Sequence, residues 1–328
     1  MNRRRLRLGL VAIALIAGAV GVALIVGPAK DGGLSGSFSP PVEARERAAR
    51  YLLQVQNRDG GFGEAPGQPS AQIPSAWVGL GLAAAGRNLT SVSRGGHSLM
   101  KYIGENTPSP TDAGAFERSM LVARAAGLSA PELRQRNSYR NLLRQRTHNG
   151  SFKNLVNLTA FGVLAMSGAD EQHNSDRVRR SVTWLSRQQN SDGGFGFSAR
   201  PAASDVDDTA AALQALAAGG QHREATVDRG IDYLLRVQRS DGGFGQTPGQ
   251  TANAQSTAWA VQGLVAVGGD RTASAIRRAL TFLRSLQSSD GSIRYSQRSA
   301  QTPVWVTGQA LLALARQPLP VEAPSQRR

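Results

Sequence analysis

The sequence predicts an all-α fold, an (α/α)6 toroid of six helix-pair repeats preceded by one N-terminal transmembrane helix. Three observations lead to this prediction: a turn motif that recurs along the chain, an alternation of arginine-rich and alanine-rich segments, and an uncharged stretch near the N-terminus. Self-similarity at a fixed period is typical of repeat architectures. An apolar content of 40% over 328 residues is enough for the large core that such a fold buries.

The first thirty residues differ from the rest of the chain. Arginines at positions 3, 4, 5 and 7 precede the uncharged run 8–29, and about 20 apolar residues are enough to cross the hydrocarbon layer as a helix. Because positive charge stays on the cytoplasmic side, the remainder of the chain is expected outside the cell membrane. We therefore predict a membrane anchor at 1–30, in contact with the bilayer through 8–29, and a linker at 31–41. Cleavage as a long signal peptide is the alternative and would give a secreted domain.

A recurring turn motif divides residues 42–316 into repeats. Its gap-free copies read YLLQVQNRDGGFG, WLSRQQNSDGGFG, YLLRVQRSDGGFG and FLRSLQSSDGSIR, and the last three aspartates are 49 residues apart. A weaker copy contains Asn149, and the 90 residues between Asp59 and Asn149 leave room for one more unit, which makes six. In this motif the glycines allow a positive φ at the helix end, the aspartate can accept hydrogen bonds from turn amides, and the phenylalanine anchors the loop to the core.

Each repeat contains two segments of different composition. The first, such as RTASAIRRALTFLRSLQ, has apolar residues at helical spacing and an arginine-rich face, which predicts a helix with one side in water. The second, such as DDTAAALQALAAGG, is poor in charge and rich in small residues, which predicts a helix buried on several sides. Six such pairs would close into an outer and an inner ring around an axial cavity for a ligand. An open solenoid is the alternative architecture. Residues 317–328 have the proline-rich, polar composition of a disordered tail.

Composition also excludes several functions. The net charge is +15, but 35 of the 38 basic residues are arginines spread over most of the predicted helices, so we expect no nucleic-acid partner. The chain has no cysteine, which excludes disulfides, thiolate metal sites and a cysteine nucleophile. Its four histidines share no i, i+4 spacing, and we expect neither a metal nor a cofactor.

Two motifs carry a resemblance to a known superfamily. The repeats resemble the α/α-toroids of terpene cyclases and protein prenyltransferases, whose QW motif Q-x-x-x-G-x-W is matched with phenylalanine in place of tryptophan at Gln56, Gly60 and Phe62. The stretch DVDDTA at 205–210 is similar to the acid motif D-x-D-D-T-A of class II terpene and squalene-hopene cyclases. The resemblance implies that Asp207 protonates an alkene and that Asp205 and Asp208 tune it.

Aromatic side chains on the inner helices are the second group of candidate site residues. The rings expected to contact an apolar ligand or a carbocation are Trp77, Phe161, Trp259 and Trp305, at similar positions about one turn into their helices.

Two functions remain open from the sequence. The favoured one is a toroid that binds a small apolar or isoprenoid-like ligand in its central cavity. The other is a terpene cyclase-like isomerase that uses Asp207 as its acid. Aligning DDTAA at 208–212 with STAWA at 256–260 gives Asp208 the structural role of a helix cap. The cyclases of the resemblance hold substrate between two toroids, whereas one is predicted here.

Overall fold

A computed structural model describes residues 41–106, 112–169, 172 and 174–324. Within these ranges the chain forms thirteen α-helices and one short antiparallel hairpin, β1 (Ser93–Arg94) and β2 (His97–Ser98). The helices are α1 (Pro41–Gln54), α2 (Gln72–Ala84), α3 (Leu99–Glu105), α4 (Ala113–Ala125), α5 (Ala130–Gln135), α6 (Asn137–Gln145), α7 (Val156–Gly168), α8 (Asp176–Arg187), α9 (Val206–Ala218), α10 (Ala225–Val237), α11 (Ala254–Val267), α12 (Asp270–Ser285) and α13 (Pro303–Leu314).

The two kinds of segment become two layers of helices. The inner helices α2, α4, α7, α9, α11 and α13 are almost entirely buried; in α7 every residue except Ser167 is buried. The outer helices α1, α3, α6, α8, α10 and α12 each pack on an inner helix with one apolar face. In α8 that face consists of Val178, Ser181, Val182, Trp184 and Leu185, while its arginines lie in water. The helical repeat predicted from composition is confirmed.

The six inner helices form a closed ring. Each one packs against the next in chain order, and α13 packs against α2. At this last crossing the backbones approach so closely that a Cβ on Gly81 would lie 2.3 Å from the Gly308 carbonyl oxygen. The outer layer closes as well, since the Gln287 side chain donates to the Ala44 carbonyl at 2.9 Å. The ring predicted from six repeats is thus confirmed, and the open solenoid is excluded.

In five of the repeats, the recurring turn motif joins an outer helix to the inner helix that follows it in the chain. Asp192 accepts a hydrogen bond from the Gly194 amide at 2.9 Å, and the Phe195 side chain is fully buried. Gly193 has φ +87°, and a Cβ there would lie 2.4 Å from the Arg229 carbonyl oxygen of the next outer helix. The Gln189 amide reaches the same helix and donates to the Thr226 carbonyl at 2.7 Å. The turn therefore fixes each repeat to its neighbour.

Residues 317–324 pack against the ring instead of forming part of a disordered tail. Leu319 and Val321 are buried, with 3% and 2% of their surface exposed. The Leu319 amide donates to Gln214 Oε1 on α9 at 2.9 Å, and Glu322 pairs with Arg124 on α4 at 2.8 Å. Two apolar side chains and one amide thus hold a segment whose composition is otherwise that of a loop. Residues 325–328 lie outside the described part of the chain.

The predicted anchor at 1–30 and most of the linker at 31–41 lie outside the described residues. Among the helices that the structure does describe, none has the length and apolar character needed to cross a bilayer.

Candidate functional site at the N-terminal mouth of the ring

The acidic motif begins inner helix α9. Asp205 is the N-cap, with extended backbone, and its carboxylate accepts a hydrogen bond from the Asp208 amide at 2.7 Å. Asn253 caps α11 in the same way, by accepting from the Ser256 amide at 2.8 Å. The cap is therefore Asp205. Asp208 and Ser256 are equivalent, as their alignment implies, but both lie three residues after the cap, so the capping role that the sequence analysis gave to Asp208 was wrong. The carboxyls of Asp207 and Asp208 are free of any capping role.

Asp207 is a buried carboxyl that the motif leaves without a full set of partners. Only 3% of its surface is exposed, and its Oδ1 has no hydrogen-bond partner among the described residues. Burial, followed by the nearby negative charge of Asp205, raises the pKa of Asp207 from 3.8 to about 7, while the Ser256 hydroxyl acts in the opposite direction. The Asp207 carboxyl therefore keeps its proton up to about pH 7, well above the range in which an ordinary aspartate ionises.

Asp205 and Asp208 form a carboxyl pair beside it. Burial and the charge of Asp205 raise the pKa of Asp208 well above its ordinary value, and the two side chains hydrogen-bond to each other. Burial also raises the pKa of Asp205, but the hydrogen bond from Asp208 favours its ionised form. Asp208 thus donates its proton to the Asp205 carboxylate, and the three aspartates together carry less than their formal charge.

A hydrogen bond between each turn and its inner helix sets the depth of that helix in the ring. In five repeats a turn amide and an inner-helix hydroxyl, which we call the anchor residue, are 2.8 to 2.9 Å apart: Phe62 with Ser75, Phe152 with Thr159, Phe195 with Thr209, Phe244 with Thr257, and Ile293 with Thr307. Residues at the same offset from the anchor residue therefore occupy equivalent positions around the ring.

Three aromatic rings meet at the axis of the ring. Trp77, Phe161 and Trp259 each lie two residues after the anchor residue, on the alternate inner helices α2, α7 and α11. Their ring centroids are 5.2 to 5.9 Å apart, and every pair is edge-to-face. We call these side chains the aromatic triad. At this depth the rings fill the axis, whereas the sequence analysis expected them to line an open cavity.

Trp305 lies one turn away from the other three aromatic residues. It precedes its anchor Thr307 by two residues, which is the offset at which Asp207 precedes Thr209. Positions four apart share one face of a helix, so Asp207 and Trp305 point to the axis on the N-terminal side of the aromatic triad. Trp305 is half-buried, and its Nε1 has no acceptor among the described residues. The site therefore has Asp207 and Trp305 at its mouth and the aromatic triad as its floor.

The second repeat contributes two charged residues that the sequence analysis missed. Asp112 caps α4 by accepting from the Ala115 amide at 3.0 Å, and counting from this cap gives Phe116 the anchor position. Glu117 follows it and Arg118 comes next, with 1% and 4% of their surfaces exposed. The other five helices have a small residue where α4 has Glu117: Ala76, Ala160, Ala210, Ala258 and Gly308. This break in the repeat was the signal that could have identified them.

Burial favours the neutral form of Glu117, whereas Arg118 has a hydrogen-bond partner. Burial raises the pKa of Glu117 well above its ordinary value, although the charge of Arg118 opposes this. The Arg118 guanidinium donates through Nε to Gln72 Oε1 at 3.0 Å. Within the described residues, no group of three histidine, aspartate or glutamate side chains is arranged to hold a metal ion.

Comparisons with known families agree with this architecture. The profile of the prenyltransferase alpha-alpha toroid domain matches residues 29–118 and 209–304, together more than half of the chain. The profile of the squalene-hopene cyclase C-terminal domain matches residues 147–252, which include the aspartate motif. Comparison of the sequence with curated proteins gives no match.

Solved structures share the fold at low sequence identity. The type II terpene cyclase MstE from Scytonema is 16% identical, with a TM-score of 0.63 over 84% of this chain and 97% of its own. A variant of MstE was solved in complex with its substrate, geranylgeranyl dihydroxybenzoate. The ent-copalyl diphosphate synthase from Streptomyces platensis is 19% identical, with a TM-score of 0.56 over 76% of this chain and 51% of its own.

The same fold also occurs in an enzyme of another class. A glycosidase variant in complex with glucose is 12% identical and gives a TM-score of 0.60 over 85% of this chain and 98% of its own. The shared fold therefore does not determine the reaction, which depends on the residues of the site.

Proposed function

Because this chain belongs to the prenyltransferase alpha-alpha toroid family, we propose that it is a class II-type terpene cyclase in which Asp207 protonates a carbon–carbon double bond. The observation that carries the proposal is the environment of Asp207. Its carboxyl is buried, its Oδ1 is unpartnered among the described residues, and its pKa is raised to about 7. A solvated carboxylate at a helix cap would have none of these properties.

The reaction is an isomerisation in which Asp207 is the proton donor. The O–H bond of Asp207 breaks as the π electrons of a terminal alkene form a C–H bond, which leaves a tertiary carbocation and the Asp207 carboxylate. A second alkene attacks the cation and closes a ring. Loss of a proton from the final cation regenerates an alkene, and the Asp207 carboxylate takes up one proton, which restores the acid for the next turnover. Because Asp207 is shielded from water, its carboxylate stays paired with the cation, and the Ser256 hydroxyl favours the ionised form as it develops.

The aromatic triad supports the same chemistry. Carbocations are stabilised by aromatic faces at distances up to about 6 Å, and tryptophan is the most effective ring. Trp77, Phe161 and Trp259 lie one helical turn below the acid, so a chain that enters through the mouth reaches the rings after it passes Asp207. Their mutual edge-to-face contacts keep the rings in place without a ligand.

A single toroid is compatible with this proposal. The sequence analysis expected a cyclase to hold its substrate between two toroids, but the MstE cyclase is matched over 97% of its own length by this chain. Since MstE binds geranylgeranyl dihydroxybenzoate, an isoprenoid chain is the substrate class that we extend to this protein.

Product formation tests the proposal. The purified protein is incubated with squalene, geranylgeranyl diphosphate and geranylgeranyl dihydroxybenzoate, and extracts are analysed by mass spectrometry for products of unchanged mass and altered retention. We expect a cyclised product from one of them that disappears in Asp207→Asn and persists in Asp270→Asn, a change on the exposed first turn of α12. Binding without turnover in the wild type would favour the ligand-binding toroid instead, and a product unaffected by Asp207→Asn would assign the acid elsewhere.

We also propose that residues 8–29 anchor the protein in the cell membrane, with the toroid outside. The uncharged run and the four arginines before it support this placement. In cell fractionation, the full chain should remain in membrane pellets after washing at high salt and alkaline pH, and deletion of residues 1–30 should release it. Recovery of the full chain in the wash would contradict the anchor.

A further inference from the structure

The second repeat has buried charged residues at two positions where the other five inner helices have uncharged ones. Five inner helices place alanine or glycine beside the anchor residue, whereas α4 places Glu117 there and follows it with Arg118. A buried charged side chain is destabilising unless it is paired. Since the position of Glu117 accepts a small residue five times in this ring, packing does not require a charged side chain there. Arg118 has the offset of the aromatic triad, where the other inner helices carry only uncharged residues.

The Arg118 guanidinium has N–H donors that no described residue accepts from. It is 4% exposed, and its one hydrogen bond to a described residue runs from Nε to Gln72. No described residue accepts from its two terminal nitrogens, and none forms an ion pair with it. Asp112 and Glu117 lie near enough to affect its pKa, but neither forms an ion pair with it within the described part of the chain. A guanidinium normally uses these two nitrogens as a fork for a planar anion.

The position of the guanidinium is on the mouth side of the ring. Gln72 is the first residue of α2, so the Arg118 side chain runs toward the N-terminal ends of the inner helices, as long helical side chains do. In the ring order α2, α4, α7, α9, α11, α13, helix α2 is opposite α9, which carries Asp207. Arg118 itself is on α4, two places from α9, and its guanidinium lies at the contact with α2, so the ring order puts it on the side of the ring away from Asp207.

We propose that Arg118, held by Gln72, binds a carboxylate head group of the isoprenoid substrate and so presents its far alkene to Asp207. This inference rests on the proposed function. One guanidinium provides two parallel hydrogen bonds and one positive charge, which match a carboxylate. A diphosphate carries more negative charge than one guanidinium neutralises. Lys153 is exposed.

A binding assay without turnover tests this assignment. Quenching of tryptophan fluorescence is titrated with geranylgeranyl dihydroxybenzoate, with its methyl ester and with geranylgeranyl diphosphate, in the full chain that carries Asp207→Asn. We expect the acid to bind at least about tenfold more tightly than the ester, because a hydrogen bond to a charged group contributes about that factor. Arg118→Gln should remove the difference between acid and ester, and Arg118→Lys should keep part of it. Arg277→Gln, an exposed change on α12, is the matched control and should leave all affinities unchanged.

Several results would overturn the assignment. These are equal affinity for acid and ester before any change at Arg118, equal weakening of both by Arg118→Gln, tighter binding of the diphosphate than of the acid, or no binding of any of the three. The first comparison needs no change at Arg118, so it decides the question even if the Arg118 variants do not fold. Since no turnover is measured, discrimination between acid and ester without a cyclised product would leave Arg118 assigned and count only against Asp207 as the acid.

Discussion

Asp207→Asn is expected to change how the stability of the protein depends on pH. The Asp207 carboxyl has a pKa of about 7 when folded and 3.8 as an ordinary side chain, so between these values the folded chain holds a proton that the unfolded chain has lost. Stability of the wild type therefore falls as pH rises through this interval, by about 1.4 kcal/mol for each pH unit. The total is about 4 kcal/mol, all of it lost above about pH 7. Screening by solvent does not reduce this free energy, because Asp207 is only 3% exposed.

Asparagine has nearly the same shape and never ionises, so the variant lacks this loss. Free energies of unfolding are measured by urea titration for both proteins between about pH 5 and pH 8. Across this range, the free energy of unfolding of Asp207→Asn should rise by about 3 kcal/mol relative to that of the wild type. The control Asp270→Asn should show no such rise, because Asp270 is exposed to water in the folded and the unfolded chain. Taking the difference between variant and wild type removes most of the contribution of Asp205 and Asp208. Activity, where present, should decline above about pH 7 as Asp207 ionises.

If the difference in unfolding free energy between Asp207→Asn and the wild type stays constant with pH, the reasoning is refuted. It would mean that Asp207 ionises in the folded protein as it does in the unfolded chain. A carboxyl without a proton near neutral pH cannot protonate an alkene, so the proposed mechanism would lose its acid.

Three further predictions concern the scaffold, and urea unfolding measures each. Glu117→Ala should raise stability by about 1–3 kcal/mol, because alanine fills this position in other repeats and a buried carboxyl is removed; an unchanged or lower stability would show that the side chain is paired. Gly81→Ala should lower stability by about 3 kcal/mol or more, since the added Cβ would lie 2.3 Å from a carbonyl oxygen. Gly104→Ala, where nothing lies within 4 Å, is its control and should be neutral or stabilising. Deletion of residues 317–328 should cost about 3–5 kcal/mol through exposure of two apolar side chains and loss of one buried hydrogen bond; a neutral deletion would mean that the tail only rests on the ring.

The sequence predicted those features that depend on neighbours along the chain. The period of the arginine-rich and alanine-rich segments determined which helices face water, and the turn motif marked the connections from outer to inner helices, although its positive-φ glycines come after the helix ends. Six repeats with a small-residue inner layer were enough to predict closure. The acidic motif was also found, because DVDDTA is contiguous.

Depth within the ring was not available from local pattern. Trp305 was grouped with Trp77, Phe161 and Trp259 because all four lie about one turn into an inner helix, and only the bond from the Ile293 amide to Thr307 shows that it lies a turn higher. In the same way, Asp208 was aligned correctly with Ser256 but was wrongly made a cap, because the cap is defined by which side chain accepts the N3 amide.

What the sequence by itself determined is therefore the architecture: six pairs, two layers and a closed ring, since hydrophobic period and turn chemistry are encoded locally. The tertiary structure alone decided the site. It brought three rings from helices far apart in sequence into contact at the axis, buried Asp207 without a full set of partners, and placed the Arg118 guanidinium against Gln72 of the neighbouring helix α2. The physical reason is that burial and the proximity of charges arise from the whole ring, and these two quantities fix whether a carboxyl keeps its proton.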